Sequence, residues 1–298
     1  MDNPTSRRNV IKKIATGSIA AAALSPFDVF ANNEMESTKK LKGNINHSVC
    51  QWTYGFLSLD QLCIEAKKMG LGAIDLIGPK EWPVLQSHGL HCSMCYTGGK
   101  ISLTEGWNRQ KFHAPLIKEF TETIPLMAQA GYKNLICFSG NRDGLDDEAG
   151  LTNCVTGLKH IMALAEKHDV IIQMELFNSK VDHKDYMCDK SAWGIELCKR
   201  LDSPNFKLLY DIYHMQINEG DVIRTIKDNH QYFGHYHTAG VPGRHEINDT
   251  QELFYPAIMR AILETGYKGY VAQEFIPTSK TDKEKIAALK KAVHLCDV

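Results

Sequence analysis

Four metal-binding side chains stand at the ends of four short apolar segments, which are Gln173-Met174-Glu175, Leu209-Tyr210-Asp211, His235-Tyr236-His237 and Ala272-Gln273-Glu274. Two glutamates, an aspartate and a histidine form a mainly oxygen donor set. Such a set suits Mn²⁺ or Mg²⁺, with Co²⁺ as a further candidate, better than a closed zinc site. One carboxylate after an apolar segment is commonly a helix N-cap, but the recurrence at four consecutive segments predicts a site for one divalent metal ion.

Other polar side chains near these segments are candidates for substrate binding. His214 follows Asp211 by three residues, and Arg244 lies on the loop after His237. A guanidinium at this place predicts forked hydrogen bonds to a substrate carboxylate, although it also binds sugar hydroxyls. His113, in the long segment after the third predicted strand, is either a substrate ligand or a capping histidine.

Some chemically capable residues are predicted to be structural. His235 is expected to point away from the site that contains His237. Cys92 and Cys95 have the spacing of a redox or zinc pair, but in a strand they are expected to face opposite sides and to remain buried thiols. The chain has nine cysteines, and this odd number without framework spacing indicates no disulfide scaffold.

Short apolar segments rich in β-branched or aromatic residues predict eight strands: His47–Trp52, Ala73–Ile77, His91–Cys95, Asn134–Phe138, Val170–Glu175, Phe206–Asp211, Tyr232–His237 and Tyr270–Glu274. Helical patterns lie between them. Ser58 and Gln61 form a capping box at the start of one helix. Gly70, Gly131 and Gly266 each end a helical pattern shortly before a strand, where glycine takes the left-handed cap conformation.

Strands that alternate with helices over about 250 residues predict a (β/α)8 TIM barrel. An open doubly wound sheet is the alternative, but no G-x-G-x-x-G follows the first strand and no G-x-x-x-x-G-K-[ST] occurs. No Pro/Ser-rich linker divides the chain, so residues 45–298 are predicted to form one domain. In such a barrel the C-terminal strand ends meet at one mouth, which would bring the four metal-binding side chains together.

The first 31 residues have the pattern of an export signal. Arg7 and Arg8 precede an uncharged run from Ile14 to Leu24, well short of the ~20 residues that span a bilayer. The small residue Ala31 ends a cleavage pattern. Paired arginines indicate the twin-arginine (Tat) machinery, which exports folded proteins. We therefore predict a cleavable signal peptide over 1–31, a linker over 32–44 and a periplasmic location, or a cytoplasmic one if the leader does not function.

Charge narrows the classes of partner. The chain has 34 basic and 35 acidic residues, a net charge of -1. Without residues 1–31 the counts become 30 and 33, a net charge of -3. A nearly neutral protein lacks the positive charge that binds nucleic acid or anionic membranes. The predicted partner is a small-molecule substrate, a hydroxy-keto acid or a ketose, with no nucleic acid and no stable membrane anchor. The sequence leaves open whether the chain forms a homo-oligomer.

The motifs together resemble the xylose isomerase-like TIM barrels and, within them, the hydroxypyruvate isomerases; the matching segments are Leu135–Arg142, Met174–Lys180, Asp211–His214, His237–Glu246 and Gln273–Phe275. The resemblance covers nearly all of the mature chain. It implies one divalent ion, with Glu175 and Glu274 as paired proton-transferring glutamates. Asp211 and His237 match the other ligand positions of the family.

The resemblance implies an aldose–ketose type isomerase that needs no organic cofactor. The expected reaction converts hydroxypyruvate into tartronate semialdehyde through an enediolate. A ketose 3-epimerase or related sugar isomerase is the alternative, because some hydroxypyruvate isomerases carry glutamine where His237 stands. A non-catalytic periplasmic binding protein is disfavoured by the intact glutamates. Endonuclease-like chemistry is disfavoured by the negative charge of the mature chain.

Overall fold

Parallel strands close into a barrel in the order β1 to β8 in the computed structural model, which describes residues 40–99 and 102–298. The predicted signal peptide and most of the predicted linker lie outside the described residues. The strands are β1 Asn46–Cys50, β2 Ala73–Ile77, β3 His91–Cys95, β4 Asn134–Cys137, β5 Ile171–Glu175, β6 Phe206–Asp211, β7 Phe233–Thr238 and β8 Tyr270–Gln273. The predicted (β/α)8 architecture is confirmed, and most strand bounds agree within two residues.

Helices connect the strands in the order that a (β/α)8 barrel requires: α1 Leu59–Met69, α2 Trp82–Ser87, α3 His113–Ala130, α4 Asp147–Lys167, α5 Ser191–Leu201, α6 Ile212–Asn218, α7 Val222–Asn229, α8 Tyr255–Glu264 and α9 Asp282–Cys296. The capping box of Ser58 and Gln61 opens α1 as predicted. Gly70 and Gly131 end α1 and α3 with φ of 83° and 76°. Gly266, with φ of 81°, lies one residue beyond the cap of α8.

The barrel has an apolar outer layer and a largely polar interior. The main hydrophobic core packs the strands against the helices. A separate small cluster comprises Met94, Ile136 and Leu209, which come from three different strands. Much of the remaining interior is polar, for example Gln173, which donates to Asn134 at 2.9 Å. Such buried polar groups are retained where hydrogen bonds compensate for the loss of water.

The cysteine pair in β3 departs from the prediction in one respect. All nine cysteines are buried and free, as expected. The sulfur atoms of Cys92 and Cys95, however, lie 3.2 Å apart and do not face opposite sides. The register between β2 and β3 shifts twice along this strand, which breaks the regular alternation of side chains on which the prediction depended.

No helix within residues 40–99 and 102–298 is a candidate membrane span. None of the helices there has both the length and the apolar character that a membrane span requires.

Candidate metal-binding active site

The four predicted metal ligands converge at the C-terminal ends of four neighbouring strands. Glu175 is the last residue of β5, and Asp211 is the last residue of β6. His237 lies near the end of β7, and Glu274 directly follows β8. One donor atom from each of these side chains lies within 4.8 Å of the others. The barrel topology therefore produces the cluster that the spacing predicted.

His237 lies at the centre of this cluster. Its Nδ1 atom is 2.9 Å from Oε2 of Glu274 and 3.4 Å from Oε1 of Glu175. Asp211 uses Oδ1 to accept a hydrogen bond from the backbone N–H of His214, which caps α6. Its second oxygen, Oδ2, faces the cluster and lies 3.5 Å from Nη2 of Arg244.

The cluster fits a divalent cation by two criteria. Oε1 of Glu175 and Oδ2 of Asp211 are buried, yet neither makes a hydrogen bond with any of the residues in 40–99 and 102–298. Buried carboxylate oxygens without partners are costly, and a cation is a common reason for retaining them. The donor set of three carboxylates and one imidazole matches a hard or borderline ion such as Mn²⁺ or Mg²⁺.

The pKa values of the three carboxyl groups in the site are shifted in different directions. Burial and the neighbouring charge of Glu274 raise the pKa of Asp211 well above its ordinary value, and the same causes also raise the pKa of Glu175. Burial opposes ionisation of Glu274 as well, but Arg244 and His237 outweigh it and hold its pKa well below the ordinary value. Carboxyls that differ in this way are typical of acid–base sites.

Arg244 reaches the cluster from the loop after β7. Its Nη2 atom donates to Oε2 of Glu274 at 2.6 Å, and its guanidinium lies over the rings of Trp52 and Tyr213 at 5.1 and 5.6 Å. Its backbone has φ of 60°, a conformation that non-glycine residues rarely adopt and that is common at functional sites. The buried Nε of Arg244 makes no hydrogen bond within the part of the chain that the structure describes, so a donor remains for a ligand.

Trp52 belongs to the site, although the sequence analysis did not single it out. It lies in a 3₁₀ turn directly after β1, and its indole N–H donates to Oε1 of Glu274 at 2.8 Å. Glu274 therefore accepts hydrogen bonds through both oxygens, from Trp52 at Oε1 and from Arg244 at Oε2, and Nδ1 of His237 lies 2.9 Å from Oε2. A tryptophan that is 222 residues distant in sequence gives no local signal of this contact.

A second wall of the site comes from the loop after β5. Asn178 donates to Nδ1 of His214 at 2.6 Å, which leaves Nε2 of His214 facing Oδ2 of Asp211 at 3.6 Å. His183 stacks on Phe177 at 4.3 Å and lies 5.1 Å from the ring of His214. His214 therefore lies beside the cluster, as its sequence position suggested. Asn178 and His183 are site residues that the sequence pattern did not predict.

For His113 the structure favours the structural alternative, and for His235 it contradicts the expected orientation. His113 begins α3, and its Nε2 lies 2.9 Å from the carbonyl oxygen of Trp107 and against Gly157 of α4. These contacts are structural and do not support a role in substrate binding. His235 does not point away from His237. Residues two apart in a strand share a face, so both rings lie inside the barrel, 5.2 Å apart.

Comparison with known proteins identifies the family. The family model of the xylose isomerase-like TIM barrel matches residues 83–292, which is more than half of the chain. The chain belongs to this family. The resemblance inferred from the motifs is thereby confirmed.

Relatives within the family include two isomerases of hydroxy-keto acids. The chain is 28% identical over 153 residues to hydroxypyruvate isomerase of Escherichia coli (strain K12), across 51% of this chain and 58% of the relative. It is 35% identical over 117 residues to 2-oxo-tetronate isomerase of Cupriavidus necator, across 39% and 44%. The matches therefore span about half the length of these relatives.

A solved structure supports the fold. The AP endonuclease of family 2 from Brucella melitensis has a TM-score of 0.71 and 22% identity, covering 82% of this chain and 96% of that one. At this identity the likeness establishes the barrel fold alone.

Proposed function

We propose that this chain is a divalent-metal-dependent isomerase of small hydroxy-keto acids that converts hydroxypyruvate into tartronate semialdehyde. The observation that carries the proposal is the convergence of Glu175, Asp211, His237 and Glu274 within 4.8 Å, with Arg244 beside them. The partial matches to isomerases of a three-carbon and a four-carbon acid support the same substrate class.

Proton transfer is assigned to the two glutamates. Glu175 and Glu274 both approach Nδ1 of His237, so their carboxylates border one small volume. Glu274, which accepts hydrogen bonds from Arg244 and Trp52, is assigned as the base that removes a proton from C3 of hydroxypyruvate, and Glu175 as the group that delivers a proton to C2. A bound divalent ion would supply Lewis-acid stabilisation of the charge that develops on the substrate oxygens.

Arg244 is assigned to the substrate carboxylate. It already lies against Oε2 of Glu274, so a carboxylate held by its remaining N–H groups would place the adjacent carbons beside that glutamate. The rings of Trp52 and Tyr213 hold the guanidinium in place, which lowers the entropy that substrate binding costs.

A direct assay tests the proposal. Purified protein without residues 1–31, loaded with Mn²⁺, is incubated with hydroxypyruvate, and tartronate semialdehyde is followed by proton NMR. Parallel reactions contain 2-oxo-tetronate and free ketoses such as fructose. Turnover of the acids with no ketose epimerisation supports the proposal, whereas epimerisation of a ketose with no turnover of either acid contradicts it.

A ketose 3-epimerase or related sugar isomerase is the second candidate. One observation favours it, namely the imidazole of His237 as the third ligand, which resembles sugar epimerases. The same metal and glutamates would serve this reaction, so the substrate panel decides between the two.

Arg244→Lys is expected to raise KM for hydroxypyruvate by about 10–100-fold, since a hydrogen bond to a charged group contributes about 1.5–3 kcal/mol. Lysine keeps the charge but loses the forked geometry and the stacking on Trp52. The matched control is Arg200→Lys, a helix-surface arginine that pairs with Glu148 and Glu196. Steady-state kinetics should show no change for the control, and an unchanged KM for Arg244→Lys would remove the carboxylate role.

We also propose that the protein is exported in the folded state. The paired arginines Arg7 and Arg8 and the short apolar run behind them support this location. Replacement of both by lysine should retain the precursor in the cytoplasm, because the twin-arginine route recognises the guanidinium pair and not charge alone. Cell fractionation measures the outcome. Periplasmic accumulation of the double-lysine form would contradict the proposal.

A further inference from the structure

A buried carboxylate on β2 lies directly behind the metal-binding cluster. Asp75 is fully buried, and its Oδ2 atom is 3.2 Å from Nε2 of His237 and 2.6 Å from Nε2 of His235. β2 and β7 are not neighbours in the barrel, so these contacts cross its interior. Asp75 therefore contacts the predicted ligand His237 on the ring side opposite to Glu175 and Glu274.

Asp75 is saturated with donors. Its Oδ1 atom accepts hydrogen bonds from the hydroxyls of Ser48 and Ser93, and its Oδ2 atom faces both imidazoles. An ionised carboxylate in a protein interior is costly unless such bonds compensate it. Four donors surround its two oxygens, so Asp75 is a fully hydrogen-bonded acceptor in a fixed position.

An ionised carboxylate only accepts hydrogen bonds, and this determines the tautomer of the facing imidazole. Opposite Asp75, Nε2 of His237 must carry a proton. With a metal ion bound the ring would be neutral, and Nδ1, which faces Glu175 and Glu274, would then be the atom with the free lone pair. A carboxylate behind a ligating histidine fixes the ring orientation and increases its basicity.

We propose that Asp75, braced by His235, is a positioning residue that holds His237 as an Nδ1 metal ligand. The inference rests on the proposed function, since it requires that the four-residue cluster binds a metal ion. It extends the site into the interior of the barrel, beyond the residues at the mouth.

A second metal ion at Asp75, His235 and His237 is the competing explanation, because donor atoms of these three residues also lie close together. The contacts argue against it. Both imidazoles approach Oδ2 at hydrogen-bond distances, and two serine hydroxyls occupy Oδ1. Asp75 thus has hydrogen-bonded neighbours for both of its oxygens, whereas Glu175 and Asp211 each retain an oxygen without a hydrogen bond to the described residues.

The test compares Mn²⁺ binding to metal-free wild type and to Asp75→Asn by isothermal titration. Loss of a carboxylate behind a metal ligand typically weakens metal affinity by about 10–100-fold, and that is the expected result. Raised Mn²⁺ should restore most of the turnover of Asp75→Asn. The matched control is Asn134→Ala, which removes two hydrogen bonds from the same barrel interior, to Gln173 and to the carbonyl of Ser93. The control should bind Mn²⁺ as wild type does.

A measurement on the wild type avoids dependence on variant folding. In protein labelled with ¹⁵N-histidine and loaded with diamagnetic Mg²⁺, the His237 resonances, assigned by their loss in His237→Gln, should report a protonated Nε2. A protonated Nδ1, or Asp75→Asn that binds Mn²⁺ as tightly as wild type, would overturn the inference and leave the proposed function intact. Absence of Mn²⁺ binding by the wild type would instead contradict the proposed function.

Discussion

Glu274→Gln is expected to reduce turnover by at least about 10²–10⁴-fold, the usual contribution of a general acid–base group. The glutamine cannot take up the proton. It also presents an amide N–H₂ where the carboxylate accepts hydrogen bonds from Trp52 through one oxygen and from Arg244 through the other. The N–H₂ group of the glutamine would then face one of these N–H donors and could not accept a hydrogen bond from it. Glu175→Gln is expected to cause a loss of the same order, for the proton-transfer reason alone.

A metal titration separates proton transfer from metal binding in these variants. His237→Gln keeps an oxygen ligand for a hard ion, so it should retain measurable activity when Mn²⁺ is raised. Asp211→Asn should likewise act mainly through metal affinity. Glu274→Gln should not recover at any Mn²⁺ concentration. Complete rescue of Glu274→Gln by excess Mn²⁺ would show that this residue is only a ligand, and the two-glutamate mechanism would be wrong.

Removal of the metal ion by dialysis against EDTA is expected to abolish turnover and to lower Tm. Without a cation, three buried carboxylates share one site. Among the described residues, the positively charged side chains within ion-pair distance of them are those of Arg244 and His237. A ligand at 100 times its Kd stabilises the native state by about 2.7 kcal/mol. For a domain of this size that free energy corresponds to a rise in Tm of roughly 5–10 °C on addition of Mn²⁺.

Scanning calorimetry with and without Mn²⁺ measures this shift. Asp211→Asn is the paired variant, because it removes one ligand oxygen charge and should reduce the Mn²⁺-dependent rise. If metal-free protein keeps full activity and its Tm does not respond to Mn²⁺, the cluster is not a metal site.

The sequence predicted the barrel and the four-residue cluster because both depend on local signals. Capping residues such as Ser58 and Gly70 mark helix ends, and Glu175 and Asp211 stand at recognisable strand ends. The closure of parallel strands then brings distant ends together without further information.

The contacts that the sequence did not reveal cross the barrel interior or depend on irregular strands. Asp75 lies in the middle of β2 and meets His235 from 160 residues away, so no spacing rule connects them. Trp52 and Glu274 are similarly remote. His113 has the side chain of a ligand, but its position is determined by packing against Trp107 and α4. The proximity of Cys92 and Cys95 follows from a register shift that the sequence pattern does not show.

The central claim is that this cluster removes a proton from C3 of hydroxypyruvate and delivers another to C2, and deuterium incorporation tests it most directly. Mn²⁺-loaded wild type and Glu274→Gln are incubated with hydroxypyruvate in D₂O, and the substrate and product are analysed by NMR after the metal is removed. We predict that the wild type forms tartronate semialdehyde with deuterium at C2, while Glu274→Gln neither forms the product nor exchanges the C3 protons above the uncatalysed rate. Equal exchange by both proteins, or no exchange and no product with the metal-loaded wild type, would contradict the account.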